Sequence, residues 1–430
     1  MKKQKELFHN IIGYDDEKKT LKRILDVLNH QEKYKKLGSS IPHGLLLYGP
    51  PGLGKTTFAR GILDHVENRK TFIIRKIKSD GAFIDYLNQI FEQAKKNQPS
   101  IILLDDLDKF AEDDHSNNNE EFVAVQSFID DIKNDDVFVI ATANNKYLLP
   151  SSLLRAGRFD IKMEIDFPDE KDSFEIFRYY LKNKKIDKDV NIKNISYIIG
   201  CTSCANLEKI CNQAGIYAGF QDKKAIGMDD LLRASLELSY DTNIENIDQD
   251  DSYALETAYH EAGHAIVGEY LEPGSVSFIT IAKTNSNTKG ITKYHNNKYY
   301  FNDINFMQNR ITTLLAGKAA IDITYHKCDV GTRDDIERAY DITARLIDDY
   351  CMLDFRSWIR CREEQSEKVK QTKDDHINQM IEECYHKAKN ILIENKNRLD
   401  VLAKQLNQKK ILFQEEIEDI YHNPNHYIIS

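Results

Sequence analysis

Residues 44–66 read GLLLYGPPGLGKTTFARGILDHV, and their pattern is the strongest indication of the fold class. A short apolar run leads into a glycine-rich loop and then into a helical pattern, which is the order that a phosphate-binding loop requires. Glycines let backbone N–H groups surround phosphates at a helix N-terminus, the lysine adds positive charge, and the threonine hydroxyl binds Mg²⁺. A glycine-rich turn before an ordinary helix is the alternative, and it fits the surrounding pattern less well. The predicted nucleotide-binding residues are Gly49, Pro50, Pro51, Gly52, Leu53, Gly54, Lys55, Thr56 and Thr57.

Around this stretch, short apolar runs alternate with longer helical patterns from Phe8 to about Tyr240. Such alternation is typical of βαβ units and predicts an α/β domain with a mostly parallel sheet. A polar stretch from Glu112 to Glu121 has no periodicity and predicts a surface loop. The strand candidates are Gly44–Tyr48, Thr71–Ile74, Ile101–Leu104, Val137–Ala141 and Lys162–Ile165.

Two aspartates follow the apolar run Ile101–Leu104. Ligands of open α/β sheets bind at the carboxyl ends of the strands. We therefore expect Asp105 to hold Mg²⁺ through water and Asp106 to orient or deprotonate the water that attacks ATP. Aspartates in this position also serve as helix N-caps, so the assignment depends on the phosphate-binding loop.

The sequence pattern changes after residue 240. The acidic stretch YDTNIENIDQDDS, from Tyr240 to Ser252, has little apolar spacing and predicts an interdomain linker. Helical patterns dominate beyond it, with one candidate strand region from Val276 to Tyr294. The stretch from His376 to His422 predicts amphipathic helices that pack on a partner face.

The segment TAYHEAGHAIVGEYL, residues 257–271, carries an H-E-x-x-H motif within a helical pattern. Residues four apart share one helix face, so His260 and His264 can bind a single Zn²⁺. Glu261 stands beside them and is predicted to be the general base that takes a proton from water. We therefore expect peptide-bond hydrolysis without a covalent intermediate. The alternative is a chance H-E-x-x-H on an exposed helix.

A catalytic zinc takes a third protein ligand, and the helical segment RDDIERAYDITARLI, residues 333–347, offers two adjacent carboxylates. Asp335 shares its helix face with apolar residues, whereas Asp334 falls on a charged face. Because an unpaired carboxylate on an apolar face is costly, we predict Asp335 as the third ligand. Cys328 and His326 lie nearby in the sequence, but their spacing does not favour them.

These motifs resemble the FtsH family of membrane-anchored, ATP-dependent zinc proteases, and the resemblance covers nearly the whole chain. The segments similar to the family's AAA+ module are FHNIIGYDDEKKTL (8–21), FEQAKKNQPSIILLDDLD (91–108), FVIATANN (138–145) and SSLLRAGRFD (151–160). TSCANLEKICNQAGIYA (202–218) resembles the helical lid, and LLAGKAA (314–320) and VGTRDDIERA (330–339) resemble peptidase segments.

The resemblance implies roles that spacing alone does not assign. Asn144 matches the residue that senses the terminal phosphate. Arg155 and Arg158 match arginine fingers that reach the nucleotide of a neighbouring subunit, although without the resemblance they would be read as solvated surface residues. A finger acting in trans implies a homohexamer. Asp335 matches the aspartate that completes the zinc site, and Ile279–Asn297 resembles an edge strand and turn where substrate is added as a β-strand.

The resulting prediction for fold class is an α/β AAA+ nucleotide-binding domain with a helical lid, followed by a mainly α-helical zinc metallopeptidase domain. At 430 residues the chain exceeds the size of one hydrophobic core, so several domains are expected. The predicted boundaries place the nucleotide-binding domain at 1–168, the lid at 169–240, the linker at 241–252 and the peptidase domain at 253–430.

The sequence also departs from the family pattern. Asp106 stands where the family usually has Glu, which predicts poorer positioning of water and slow hydrolysis. Residues 79–81 (SDG) occupy the place of an aromatic pore loop, with Phe83 as a displaced substitute, so threading of substrate is in question. The family's amino-terminal membrane anchor has no counterpart. Cys201 and Cys204 form a lone CxxC that predicts ordinary thiols rather than a metal site.

Composition limits the class of protein. The formal net charge of −10 argues against a nucleic-acid partner, since nucleic-acid binders usually carry a basic surplus. Seven cysteines in so long a chain are too few for a disulfide framework and predict a reducing, cytoplasmic location. The apolar runs are much shorter than the roughly 20 residues that cross a bilayer, and the start lacks a signal-peptide core. We therefore expect no direct insertion into a membrane, although a partner could recruit the chain to one.

The leading hypothesis is an ATP-dependent zinc metalloendopeptidase that unfolds and degrades protein substrates, with Zn²⁺, ATP and Mg²⁺ as cofactors. The alternative is a nucleotide-gated ring or scaffold with weak ATPase activity and ATP-independent or lapsed proteolysis, which Asp106 and the missing pore aromatic favour. A third hypothesis is a remodelling ATPase whose peptidase domain has decayed.

Overall fold

The computed structural model describes residues 7–76, 82–110, 120–200, 202–240, 253–282, 290–295, 303–327, 332–348, 350 and 367–427. Contacts between Cα atoms divide the chain into two compact units, Met1–Lys185 with Cys201–Asn212 and Ile186–Gly200 with Gln213–Ser430. The predicted lid contributes residues to both units, and the domain boundaries given above stay predictions.

The first unit contains a parallel five-stranded sheet of order β2-β3-β4-β1-β5. Residues of β3 and β4 are buried throughout, as expected for a parallel sheet covered on both faces. The five strand predictions are confirmed, with ends shifted by one or two residues. The strands are β1 (Gly44–Tyr48), β2 (Lys70–Arg75), β3 (Ser100–Asp105), β4 (Val137–Ala143) and β5 (Ile161–Glu164).

Helices alternate with these strands and continue into the lid region. Glu120 and Glu121, which were predicted to lie in a loop, instead begin α5, because the apolar residues that follow them recur at helical spacing and are buried. The helices are α1 (Asp15–Asn29), α2 (Gln31–Lys35), α3 (Lys55–Leu63), α4 (Ala82–Lys96), α5 (Glu120–Asp131), α6 (Glu170–Leu181), α7 (Ile192–Ile199), α8 (Cys204–Phe220) and α9 (Met228–Tyr240).

Phe83 is not a substitute for the pore aromatic. Its side chain is buried in the core beneath the sheet and makes an edge-to-face contact with Phe110, with ring centroids 5.0 Å apart. Burial of a large aromatic ring is strongly favourable, so the ring is retained in the core. Residues 79–81, which are predicted to occupy the place of the pore loop, lie outside the described residues.

The second unit is mainly helical. Among the described residues, the α-helices and strands that follow α9 are α10 (Ala254–Leu271), β6 (Val276–Thr280), β7 (Ile291–Tyr294), α11 (Ile304–Tyr325), α12 (Arg333–Asp348), α13 (Glu367–Glu394), α14 (Lys396–Lys409), β8 (Ile411–Phe413) and α15 (Gln414–His422). The strands form an antiparallel sheet of order β7-β6-β8. β8 interrupts a region predicted to be entirely helical, because Leu412 is buried and pairs with Ile279 of β6.

Helix α10 is the centre of this unit, since nearly every residue from Ala258 to Glu269 is buried. Such a helix must pack against neighbours on all sides. α11 approaches it closely because Gly263 has no side chain: a Cβ there would lie 2.6 Å from the Cβ of Ala320. The close approach brings the backbone of α11 up to the histidines of α10. Within the described part of the chain, no helix combines the length and apolarity needed to span a bilayer.

Candidate active site and nucleotide site

Three predicted metal ligands come together between α10 and α12. The Nε2 atoms of His260 and His264 lie 3.1 Å apart, and Oδ2 of Asp335 lies 3.2 Å from each of them. Atoms bound to one tetrahedral zinc at about 2.0–2.1 Å are separated by about 3.3 Å. The three side chains therefore have the spacing and the donor types of a zinc site with three protein ligands.

The backbone of α11 orients His264. Its Nδ1 lies 2.7 Å from the carbonyl oxygen of Thr313, which can only accept, so Nδ1 carries a proton and Nε2 faces His260 and Asp335. Gly317 leaves the space that the rings occupy, because a Cβ there would lie 2.5 Å from Nε2 of His260 and 2.6 Å from Nε2 of His264. The buried Nδ1 of His260 has no hydrogen-bond partner among the described residues. The two Nε2 atoms thus face each other and Asp335, where they could bind one metal ion.

The negative charge of Asp335 favours a cation between this residue and the two histidines. Burial opposes ionisation of Asp335, but the neighbouring His264 and the hydrogen bonds from both histidines outweigh it, and the pKa of Asp335 lies well below its ordinary value. The carboxylate is therefore ionised at neutral pH. Asp334 is exposed, as its helix face predicted, and so is His326 at the end of α11. Cys328 lies outside the described residues.

Glu261 is buried beside the histidines, with 6% of its surface exposed. Burial raises the pKa of Glu261, against the opposing effects of His260, His264 and a hydrogen bond from Thr292. A carboxyl group with a raised pKa is a stronger base than an exposed one, as general-base catalysis requires. Oγ1 of Thr292 donates to Oε2 of Glu261 at 2.6 Å.

Replacing Asp335 by asparagine tests the ligand assignment. The amide keeps the shape of the side chain but removes the charge, so we expect zinc affinity to fall by well over tenfold, since loss of an outer-shell partner alone costs about 10–100-fold. Metal analysis after dialysis against a weak chelator measures the loss. Asp334→Asn is the matched control, one residue away and exposed, and it should keep its zinc. Equal zinc content in both variants would exclude Asp335 as a ligand.

The nucleotide-binding loop connects β1 and α3. Gly49 crosses the end of β5 so closely that a Cβ would lie 2.0 Å from the carbonyl oxygen of Ile165. Gly54 precedes α3 with φ of 83°, and no described side chain caps the helix there, so its first N–H groups can bind phosphate oxygens. Nζ of Lys55 donates to the carbonyl oxygens of Gly49 and Pro50 at 2.8 and 2.7 Å.

The other predicted nucleotide-site residues gather around this loop, because β4 lies between β1 and β3 in the parallel sheet and all three strands end at the same edge. Nζ of Lys55 also donates to Oδ1 of Asn144 at 2.9 Å. Oδ1 of Asp105 accepts hydrogen bonds from Thr56 and Thr142, both at 2.8 Å. A lysine, a threonine hydroxyl and a carboxylate in this arrangement suit the phosphates and Mg²⁺ of a bound nucleotide.

Asp106 is held by two cations that its sequence position did not predict. Its Oδ2 lies 2.9 Å from Nζ of Lys109 and 3.3 Å from Nη2 of Arg75. Partial burial raises the pKa of the carboxyl group, but the hydrogen bonds from these two side chains outweigh it and bring the pKa below its ordinary value. Because its pKa is lowered, Asp106 is a weaker base than an unpaired aspartate, which disfavours the predicted deprotonation of water.

The two predicted arginine fingers differ in their surroundings. Arg155 is exposed. Arg158 forms a two-point ion pair with Asp130 of α5, at 2.7 and 2.9 Å, and donates to the carbonyl oxygen of Ser152. Among the described residues, neither arginine is hydrogen-bonded to the nucleotide-binding loop of its own chain.

Sequence patterns did not predict three residues that contact the candidate site residues. Thr142 donates to Asp105 and accepts from the backbone N–H of Asp106 at 2.8 Å, so it positions both acidic residues. Thr292 contacts Glu261, and Gly317 makes room for His260 and His264. Gly317 and Thr292 lie in segments that resemble the FtsH family, but their contacts join elements that are distant in the sequence.

Two family models match the chain. The model of the ATPase family associated with various cellular activities (AAA) matches residues 45–167, and the model of peptidase family M41 matches residues 249–420. The first match contains the nucleotide-binding loop, and the second contains the three candidate zinc ligands.

Similar curated proteins match both regions in one chain. ATP-dependent zinc metalloprotease FtsH 2 of Thermoanaerobacter sp. (strain X514) is 30% identical over 438 residues, covering 97% of this chain and 83% of the relative. The FtsH protein of Caldicellulosiruptor bescii is 29% identical, covering 97% of this chain and 72% of the relative. That of Bacillus subtilis (strain 168) is 27% identical, covering 97% and 70%.

Proposed function

Because this chain belongs to the FtsH family of ATP-dependent zinc metalloproteases, we propose that it hydrolyses peptide bonds at a zinc site and uses ATP to deliver protein substrates to that site. The observation that carries the proposal is the convergence of His260, His264 and Asp335 within 3.2 Å of one another. This set would hold Zn²⁺ and leave a fourth position for water or substrate.

Bound zinc supplies Lewis-acid chemistry, which acidifies water and polarises a carbonyl group. The protein supplies the proton transfer. Glu261 takes a proton from the water that attacks the scissile carbonyl carbon and passes it to the departing amide nitrogen as the C–N bond breaks. Its burial and raised pKa suit both steps, because the carboxyl group must accept and release a proton within one turnover.

Substrate would bind along β7. This strand is at the edge of the sheet order β7-β6-β8, and Thr292 in the same strand touches Glu261. An extended peptide can add to such an edge through main-chain hydrogen bonds, which accept many sequences. We therefore propose unfolded polypeptide as the substrate class.

ATP hydrolysis would use the residues at the carboxyl edge of the parallel sheet. Lys55 and the loop backbone would bind the phosphates, Thr56 and Asp105 would hold Mg²⁺, and Asn144 would contact the terminal phosphate. Asp106 would orient the attacking water. Two hydrogen bonds support this assignment, one from Lys55 to Asn144 and one from Thr56 to Asp105.

A homohexamer is part of the proposal, because Arg155 and Arg158 can complete the nucleotide site only from a neighbouring subunit. AAA+ proteins typically form such rings. Arg158 would have to exchange its two-point ion pair with Asp130 for a phosphate of the neighbour's nucleotide.

We also propose the domain boundaries at 168, 240 and 252; the AAA match ends at residue 167, and the peptidase M41 match begins at residue 249, within the proposed linker. A cytoplasmic location is proposed because the described cysteines, Cys204, Cys211 and Cys384, are free thiols, as is usual in a reducing compartment.

A second candidate function has support from one observation. The ion pairs from Lys109 and Arg75 weaken Asp106 as a base, so ATP binding could assemble a ring whose hydrolysis is slow. In that case the zinc site would cleave exposed segments without requiring ATP turnover.

Casein degradation separates the two functions. Cleavage is measured with ATP, with a non-hydrolysable analogue and with a chelator that removes zinc. We expect ATP to stimulate cleavage, the analogue to stimulate it weakly and the chelator to abolish it. Cleavage that is equal with ATP and the analogue favours the nucleotide-gated ring, and cleavage that survives complete zinc removal contradicts both functions.

A further inference from the structure

From the contacts of Glu261 we infer that Gly290 and Thr292 form a cradle that positions the general base. The cradle is defined by these two residues, which lie just before and within β7 and outside the zinc-binding motif. The inference rests on the proposed function, because it concerns how Glu261 is held for peptide hydrolysis.

Thr292 fixes one oxygen of the carboxylate. Its Oγ1 lies 2.6 Å from Oε2 and 3.3 Å from the backbone carbonyl oxygen of Glu261. An ionised carboxylate can only accept, and a hydroxyl has a single proton, so the short contact is a hydrogen bond from Thr292 to Oε2. Hydrogen bonds to charged groups are about twice as strong as neutral ones. Oε2 is thereby held, and Oε1 is left to accept the proton of water.

Gly290 provides the space for that second oxygen. A Cβ at this position would lie 2.4 Å from Oε1 of Glu261 and 2.8 Å from its Cδ. Atoms cannot approach so closely, so any side chain at residue 290 would displace the carboxylate. The glycine is therefore explained by the position of Glu261.

The register of β7 on β6 fixes where Gly290 and Thr292 lie relative to Glu261. Thr292 pairs with Ile279 of β6, whose side chain is fully buried in the core of this unit. Neighbouring residues of a strand point to opposite faces, and Lys293 accordingly lies on the side of Gly200 rather than of α10. A peptide added to the edge of β7 would bind the same short strand, so substrate docking and placement of the general base share one element.

Thr292→Val tests the cradle, because valine keeps the shape of threonine and removes the hydroxyl. The full-length, zinc-loaded protein is assayed with a fluorogenic peptide. We expect kcat to fall about 10- to 100-fold, which corresponds to loss of a hydrogen bond to a charged group. KM and the zinc content per chain should stay unchanged, because neither the strand edge nor the metal ligands are altered. Thr292→Ser restores a hydroxyl and should recover most of kcat.

Gly290→Ala is the second variant and should also lower kcat while zinc is retained. Thr343→Val is the matched control, since Thr343 is a buried threonine of the same unit whose hydroxyl donates to the carbonyl oxygen of Ala339. It should keep the wild-type kcat.

Several results would overturn the cradle. If the wild type is active and both Thr292→Val and Gly290→Ala keep kcat within about twofold of the wild-type value, the cradle is overturned and the proposed function is not. A loss of kcat that tracks a loss of zinc would assign Thr292 a structural role and would overturn it as well. A wild type without zinc-dependent cleavage would overturn the proposed function, and the cradle with it.

Discussion

Glu261→Gln is expected to abolish proteolysis while leaving zinc and ATPase activity in place. Glutamine has the same shape as glutamate but cannot take a proton from water, and general-base catalysis contributes about 10²–10⁴-fold to rate. Glu261 does not contribute an atom to the group of ligands formed by His260, His264 and Asp335. Cleavage of a fluorogenic peptide and of casein measures the loss, and metal analysis measures the zinc.

The matched control for this variant is Glu256→Gln. Glu256 lies on the same helix, and its carboxylate pairs with Lys327 at 2.7 Å instead of facing the histidines. This control should keep full activity. Wild-type cleavage by Glu261→Gln would mean that another group acts as base, and the role proposed for Glu261 would be wrong.

Lys55→Ala is expected to lower ATP hydrolysis by about 10²–10³-fold, the usual cost of removing one preorganised donor from a charged transition state. The buried ammonium group of Lys55 is surrounded by the loop carbonyl oxygens and Asn144, and burial lowers its pKa against the opposing charges of Asp106 and Asp108. A phosphate-release assay and fluorescent-nucleotide binding measure the effect. Casein degradation should fall with it, whereas cleavage of short peptides should persist.

Lys95→Ala controls for the loss of a positive charge. Lys95 is a surface residue of α4 that pairs with Asp135 at 3.4 Å. It should leave the ATPase rate unchanged. If Lys55→Ala degraded casein at the wild-type rate, ATP hydrolysis would not drive proteolysis, and the nucleotide-gated ring would be the better description.

Local spacing was sufficient to predict much of the fold and of both sites. The phosphate-binding loop has the predicted strand before it and the predicted helix after it, because that order is set by neighbouring residues. Periodicity also distinguished Asp335 from Asp334: Ala339 and Leu346, on the helix face of Asp335, are buried, and Asp334 is exposed. Residues on one helix can be sorted by face without knowledge of the rest of the chain.

Contacts between distant segments were not predictable in this way. Thr142 reaches Asp105 because β4 lies beside β3, and Thr292 reaches Glu261 because β7 packs on α10. The pairing of Asp106 with Arg75 likewise depends on the neighbouring positions of β2 and β3. A hydroxyl or guanidinium group has no periodic signature, so its partner is set by strand register and helix packing.

The predictions of Phe83 as a pore residue and of a helix in place of β8 were wrong for a related reason. An aromatic residue near a missing pore loop can point to solvent or into the core, and the sequence around Phe83 does not distinguish these outcomes. Three residues are too few for a strand pattern, and β8 exists because Leu412 is buried against β6. In both cases the tertiary environment decided the structure.

X-ray absorption at the zinc edge identifies the atoms bound to the metal in the purified, zinc-loaded protein. Two imidazole nitrogens and oxygen donors at about 2.0–2.1 Å, with no sulfur, are predicted for a zinc held by His260, His264 and Asp335. Sulfur at about 2.3 Å, or a spectrum without imidazole scattering, would contradict it.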